Sequence, residues 1–152
     1  MELKNKRIIV TGGSDGIGRH ICLKLAALGT RLAILGRDAD RLAAVEAECV
    51  AAGASEAIGI ACDIQNPDAI SGAVEQVTAA FGGLDILINN AGAAWMEPFA
   101  SFPEKGWDKI IDVNLKSPFF LTQALHSLLQ VAASPGHPAK VINIASIDGL
   151  RL

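Results

Sequence analysis

The sequence predicts a three-layer α/β fold in which a doubly wound, parallel sheet is covered by helices on both faces. Three observations carry that reading. Five short apolar runs recur along the chain, each bounded by polar or glycine-bearing segments. Stretches with helical spacing separate them, so strand and helix alternate from end to end. The runs are also predominantly apolar, as strands buried on both faces should be, and parallel neighbours need the right-handed crossovers that intervening helices supply.

The strand candidates are residues 6–10, 31–35, 57–62, 84–89 and 140–145, several of them rich in Ile and Val. Helical spacing runs over 16–28, 39–52, 67–81 and, in the longest stretch, about 107–132. Punctuation agrees. Gly29 and Gly53 fall just past helical segments, where a left-handed cap residue is wanted. Pro67 follows Asn66 at a helix start, and Asp38 is placed to cap the helix after the second strand. Ser134-Pro135-Gly136-His137-Pro138 is the clearest loop. In the longest helical stretch, Trp107, Ile110, Ile111, Leu115, Phe119, Leu121, Leu125, Leu128 and Leu129 offer apolar positions for packing, some of them available to a partner.

A chain of 152 residues fits one domain, 1–152, with a hydrophobic core of its own. The net charge of −3 is spread over interspersed acids and bases, which gives no footprint for nucleic acid or an anionic membrane. No apolar stretch approaches the roughly 20 residues that span a bilayer. The polar start leads straight into a short apolar run and lacks the order of a secretory leader, so a cytoplasmic location is expected. Cys22, Cys49 and Cys62 are odd in number and far apart, and His20, His126 and His137 lack ligand spacing; neither disulfides nor a metal site is expected.

The first strand runs directly into Thr11-Gly12-Gly13-Ser14-Asp15-Gly16-Ile17-Gly18 and then into a helix. In that setting a turn without side chains lets backbone approach a pyrophosphate closely, and the helix N-terminus presents free N–H groups to it. Gly36-Arg37 stands at the end of the second strand, where an enzyme selective for NAD would carry an acid for the ribose 2′-hydroxyl. A guanidinium there suits a 2′-phosphate. The alternative is a solvated Arg37 with Asp38 taking the ribose. Asn114 lies inside a helical segment that disfavours asparagine, which calls for a kink, a bound water or a chemical task.

The spacing Thr-Gly-x-x-x-Gly-x-Gly, with Asn89-Asn90-Ala91-Gly92 after the fourth strand, Asn114 in Asp-Val-Asn-Leu and Ser146 closing the fifth strand, resembles the short-chain dehydrogenases/reductases. The stretch from Val141 to Ser146 and beyond looks like that of 3-oxoacyl reductase-like members. The resemblance implies a Rossmann fold and an NADP(H)-preferring oxidoreductase acting on a carbonyl or secondary alcohol. It places Gly12, Ser14, Asp15, Gly16, Ile17, Gly18, Arg37, Asp63, Ile64, Asn90, Ala91 and Gly92 against the cofactor. Asn114 then belongs to a proton relay, and Ser146 hydrogen-bonds the substrate. Asp63 has the alternative of merely capping the loop before Pro67, and Asn90 that of tying strands together. Trp95, Met96, Pro98 and Phe99 either wall a substrate pocket or cover the helix beneath them.

The resemblance also implies a homo-oligomer in the full-length form. It further implies that the sheet breaks off after its fifth strand, an exposed edge, and before the Tyr-x-x-x-Lys pair of the family; the sequence contains no tyrosine. Two readings remain. One is the front part of an oxidoreductase, favoured by an intact Ser146 motif at an unfinished sheet. The other is a non-catalytic dinucleotide-binding or dimerising module.

Overall fold

The computed structural model describes residues 2–146, so the two ends of the expected 1–152 domain lie outside the described residues. Strands β1 (Arg7–Thr11), β2 (Arg31–Gly36), β3 (Glu56–Ala61), β4 (Ile86–Asn89) and β5 (Lys140–Asn143) form one sheet in the order β3-β2-β1-β4-β5. Every pairing is parallel. The chain winds outward from β1 to β3, then crosses back to lay β4 on the other side of β1. That reversal opens a crevice between the carboxyl ends of β1 and β4, the place where open α/β sheets hold ligands.

Successive strand residues face opposite layers, which divides the core in two. Ile9, Ala33, Leu35, Ile60 and Leu87 pack with Ile70, Ala73, Val77 and Phe81 on one face. Ile8, Val10, Leu32, Ile34 and Ile88 pack with Cys22, Ala26, Leu42, Val45 and Cys49 on the other. The first set meets α3 (Pro67–Phe81) and the second meets α1 (Gly16–Ala26) and α2 (Ala39–Ala52). All three cysteines are buried. Burial, followed by the neighbouring Cys49, pushes the Cys22 thiol up to about 12, so it remains an un-ionised apolar filler.

Helix ends follow the local chemistry of the sequence. Asp38 caps α2 by accepting from Arg41 N, Asn66 caps α3 by accepting from Asp68 N, and Gly53 closes α2 with a φ of 108°. Gly29 has a φ of 70° and Gly136, in the loop before β5, one of 81°. Gly82, which also closes a helix in the left-handed region, was not among the expected caps.

The longest helix departs from expectation. It is α4 (Glu104–Ile111), a π-helical turn (Asp112–Lys116), α5 (Ser117–Ala124) and α6 (His126–Ala132) in succession. Two local causes are visible. Pro118 has no N–H to give the carbonyl of Asn114, the partner an α-helix would supply, and Asn114 is drawn sideways onto Ala93.

Beside β4, β5 is the outer strand of the described sheet, and its Val141 and Ile142 are each 42% exposed. At the opposite end of the strands, Asp85 accepts from Arg7 N, Arg7 Nε and Lys6 Nζ at 3.0, 2.8 and 3.0 Å, fastening β1 to the start of β4. Among the described residues no helix is long and apolar enough to cross a membrane.

Candidate functional site

The glycine turn is built by Thr11 as much as by its glycines. The Thr11 side chain is buried, and its hydroxyl oxygen accepts from Asn90 N and Ala91 N, both at 3.0 Å. Asn90 answers by donating Nδ2 to the carbonyl of Thr11 at 3.0 Å and, more weakly, to that of Gly12 at 3.4 Å. Turn and β4 end are thereby fixed to each other. The contact leaves no room for side chains. A Cβ on Gly12, whose φ is 64°, would lie 3.0 Å from Ala91 Cα, and one on Gly18 would run into the carbonyl oxygen of Gly12. At Gly16 a Cβ would meet nothing within 4 Å, so bare backbone there faces open space.

The crevice at the strand ends is a cleft of about 820 Å³. Gly12, Ser14, Asp15, Gly16, Ile17, Gly18, Arg37, Asp63, Ile64, Asn90, Ala91 and Gly92, the twelve residues the sequence assigned to a cofactor, all line it. Volume and shape suit a dinucleotide, for which bare backbone at the first helix and a trough across the switch point are the physical requirements.

Charge in the cleft is balanced. Arg37, Arg41 and Lys109 stand among its lining residues together with Asp15, Asp38 and Asp63. Asp15 caps α1 by accepting from Gly16 N at 2.7 Å and pairs with Arg41 Nη1 at 2.8 Å. Asp38 is engaged by the start of α2, accepting from Arg41 N at 3.0 Å with Arg41 Nε 3.4 Å away. Asp63 accepts from Gln65 N at 3.1 Å and Gln65 Nε2 at 3.2 Å. Burial raises its carboxyl, but those two hydrogen bonds and the nearby Lys109 and Arg37 outweigh it and hold the group below the usual carboxylate range. Asp63 thus caps its loop and faces the cleft at once.

A second cleft, of about 1010 Å³, shares Ala91, Gly92 and Ala93 with the first and extends along β5. Asn114 and Ser146 both line it, with Leu115, Phe119, Asn143 and Ile144. Both polar atoms of the Asn114 amide bind one residue: Oδ1 accepts from Ala93 N and Nδ2 donates to Ala93 O, each at 2.8 Å. Trp95 does not join this wall. Its ring lies over Gly106 of α4, where a Cβ would come 2.8 Å from Trp95 Cδ1, and Met96 and Phe99 are 92% and 99% exposed.

Sequence reasoning passed over Thr11, Arg41, Gln65 and Lys109. For Thr11 the signal was present as the first letter of the turn motif, and for Arg41 in its position one helical turn beyond Arg37. Gln65 and Lys109 reach the cleft only through tertiary packing, Lys109 Nζ donating to Gln65 Oε1 at 3.3 Å.

A parallel sheet with a glycine-turn cleft at its switch point defines a dinucleotide-binding Rossmann protein. More particularly, the chain belongs to the short-chain dehydrogenase family, whose model matches residues 6–151. It is 36% identical over 148 residues to the rhamnolipids biosynthesis 3-oxoacyl-[acyl-carrier-protein] reductase of Pseudomonas aeruginosa, covering 97% of this chain and 57% of that protein. Among solved structures, the Pseudomonas aeruginosa RhlG/NADP active-site complex superposes with a TM-score of 0.92 at 36% identity, over 97% of this chain and 57% of that one. NAD+-bound xylitol dehydrogenase superposes with a TM-score of 0.89 at 28% identity, over 99% and 56%. The chain therefore spans a little more than half the length of these relatives.

Proposed function

We propose that this chain supplies the cofactor-binding part of an NADP(H)-preferring oxidoreductase whose substrate is a carbonyl compound or secondary alcohol. The observation that carries the cofactor preference is the pair of side chains at the end of β2. Arg37 and Asp38 both line the cleft, but Asp38, the other candidate for the ribose, is engaged by the N-terminal turn of α2. A free hydroxyl gives a guanidinium little, whereas a 2′-phosphate gives it charge-assisted, bidentate hydrogen bonds. Relatives with either cofactor share the fold, so the choice rests on these side chains.

In this reading Gly12, Ser14, Asp15, Gly16, Ile17 and Gly18 form the pyrophosphate turn. Asp63 and Ile64 border the adenine, and Asn90, Ala91 and Gly92 run beside the rest of the cofactor. When bound, the nicotinamide supplies or accepts the hydride. The second cleft, continuous with the first along 91–93, receives the substrate, and Ser146 orients its oxygen by a hydrogen bond. Asn114 contributes to proton movement through its backbone carbonyl, because its amide is taken by Ala93 and Pro118 withholds the α-helical N–H. The exposed Trp107, outside both clefts, supports assembly of the full-length form into a homo-oligomer.

The test is a titration of NADPH and NADH against the full-length gene product and its Arg37→Ala variant. NADPH affinity is expected to fall by about tenfold or more, the worth of a charge-assisted hydrogen bond, with NADH nearly unchanged. Equal losses for both cofactors would remove the 2′-phosphate role of Arg37.

A further inference from the structure

We infer that Arg41 is a second cofactor-selecting arginine, held by Asp15 until the 2′-phosphate of NADP(H) displaces that carboxylate. Asp15 and Arg41 together then set how steeply the protein separates the phosphorylated from the unphosphorylated dinucleotide. The inference rests on the NADP(H) reading above.

Arg41 occupies the first turn of α2, one helical turn beyond Arg37, and lines the same cleft as Arg37 and Ser14. Its guanidinium spans 26 residues of sequence to reach Asp15, with Nη1 2.8 Å from Oδ2. The end of β2 and the glycine turn are close enough for this because position 36 is glycine: a Cβ there would lie 2.8 Å from Ser14 Oγ. The pair therefore bridges the mouth of the cleft between its two phosphate-facing elements.

Two properties make the pair exchangeable. Both side chains are well solvated, 59% exposed for Arg41 and 73% for Asp15, and an ion pair so exposed is held weakly. A phosphate monoester carries more charge than a carboxylate and offers a guanidinium several acceptor oxygens, so it is the better partner. The six charged residues lining the cleft also cancel, three cations against three carboxylates. An incoming phosphate thus meets no net positive field, and gains mainly by taking a cation from its carboxylate. Asp15, already at the N-terminus of α1 where anions are favoured, opposes a second anion nearby.

The test uses the full-length gene product with adenosine 2′,5′-bisphosphate and adenosine 5′-monophosphate, probes that differ only in the 2′-phosphate, followed by calorimetry. Arg41→Ala is expected to weaken the bisphosphate by about tenfold and the monophosphate by less than about twofold, with Arg41→Lys between. Asp15→Asn keeps an oxygen for capping α1, and should tighten the bisphosphate more than the monophosphate. That selective gain should vanish when Arg41→Ala is also present. A loss shared equally by both probes in Arg41→Ala, or a selective gain from Asp15→Asn that persists without Arg41, overturns the inference. The NADP(H) reading fails separately, if Arg37→Ala leaves the discrimination unchanged; discrimination lost with Arg37→Ala but kept with Arg41→Ala sinks only the role of Arg41. Thermal melting of each variant excludes a folding defect, and none is expected from such exposed side chains.

Discussion

Replacing Thr11 with valine tests whether one hydroxyl holds the cleft together. Valine keeps the shape and the β-branch, so the strand should accept it, but its methyl cannot accept the N–H groups of Asn90 and Ala91, each 3.0 Å from Thr11 Oγ1. An amide left unpaired away from water costs about 1–3 kcal/mol, and two such groups give roughly 2–5 kcal/mol after some relaxation. Against a domain stability of about 5–15 kcal/mol that is a large loss. Thr11→Ser keeps the oxygen and gives up one buried methyl, which costs about 1 kcal/mol. The assay is urea unfolding of parent, Thr11→Val and Thr11→Ser, with NADPH titration of the folded proteins. Valine should lower the midpoint far more than serine and weaken the cofactor, since the end of β4 is no longer fixed to the turn. A valine variant within about 0.5 kcal/mol of the parent, a change typical of unremarkable surface sites, would refute the reasoning. So would a serine variant as damaged as the valine one.

Two further predictions concern the sheet and the turn. Burial raises the Asp85 carboxyl, but hydrogen bonds from Arg7 and Lys6 outweigh it and bring the group to about 2, from an ordinary 3.8. The resulting stabilisation, about 2 kcal/mol, is fully present above the unfolded value and lost as pH falls from about 4 through 2. Denaturation midpoints across that range should drop for the parent and change less for Asp85→Asn, whose stability is already lower at pH 7. Gly18→Ala drives a methyl into the Gly12 carbonyl and should cost about 3 kcal/mol or more, while Gly16→Ala, with a φ of 53° and open space, should cost only about 1–2 kcal/mol. Thermal melts rank the two, and the reverse order would mean that the turn relaxes around Gly18.

The parts of this fold that were legible are those whose causes are local. α2 begins and ends where Asp38 and Gly53 predict, and α3 begins where Asn66 and Pro67 predict, because a cap acts on backbone groups within its own turn. The five strands were found to within two residues at each end from their predominantly apolar character, with β4 beginning two residues late, at Ile86. There Asp85 serves as a side-chain acceptor for β1 and lies just before the strand. All twelve residues assigned to the cofactor line one cleft, since a glycine turn and the ends of β2, β3 and β4 meet wherever a sheet winds both ways from β1. Lys109 carries no such topological address, and that of Arg41, one helical turn beyond Arg37, gives its element but not its partner. Their places depend on where the far end of a long side chain finds a partner, and that is settled by Asp15 and Gln65.

Asn114 lies between these cases, and shows why a local oddity can be read without its remedy. Its unsuitability for a helix interior was visible, and three explanations were open: a kink, a water or a chemical task. The fold shows the first, a break in the regular helix. The amide binds both backbone groups of Ala93, fixing the helix to the segment that joins the two clefts, and this engagement accompanies the π-helical turn. Wide turns of this kind interrupt the regular ladder of a helix and are frequent at functional sites. Four residues on, Pro118 removes the N–H that an α-helix would have brought to the Asn114 carbonyl. Sequence distance hid the pairing with Ala93, 21 residues away, but the spacing of Asn114 and Pro118 was readable. An asparagine whose carbonyl loses its α-helical donor to a proline at i+4 keeps that carbonyl as a backbone acceptor while its own side chain holds it in place, and the relay proposed for Asn114 rests on that arrangement.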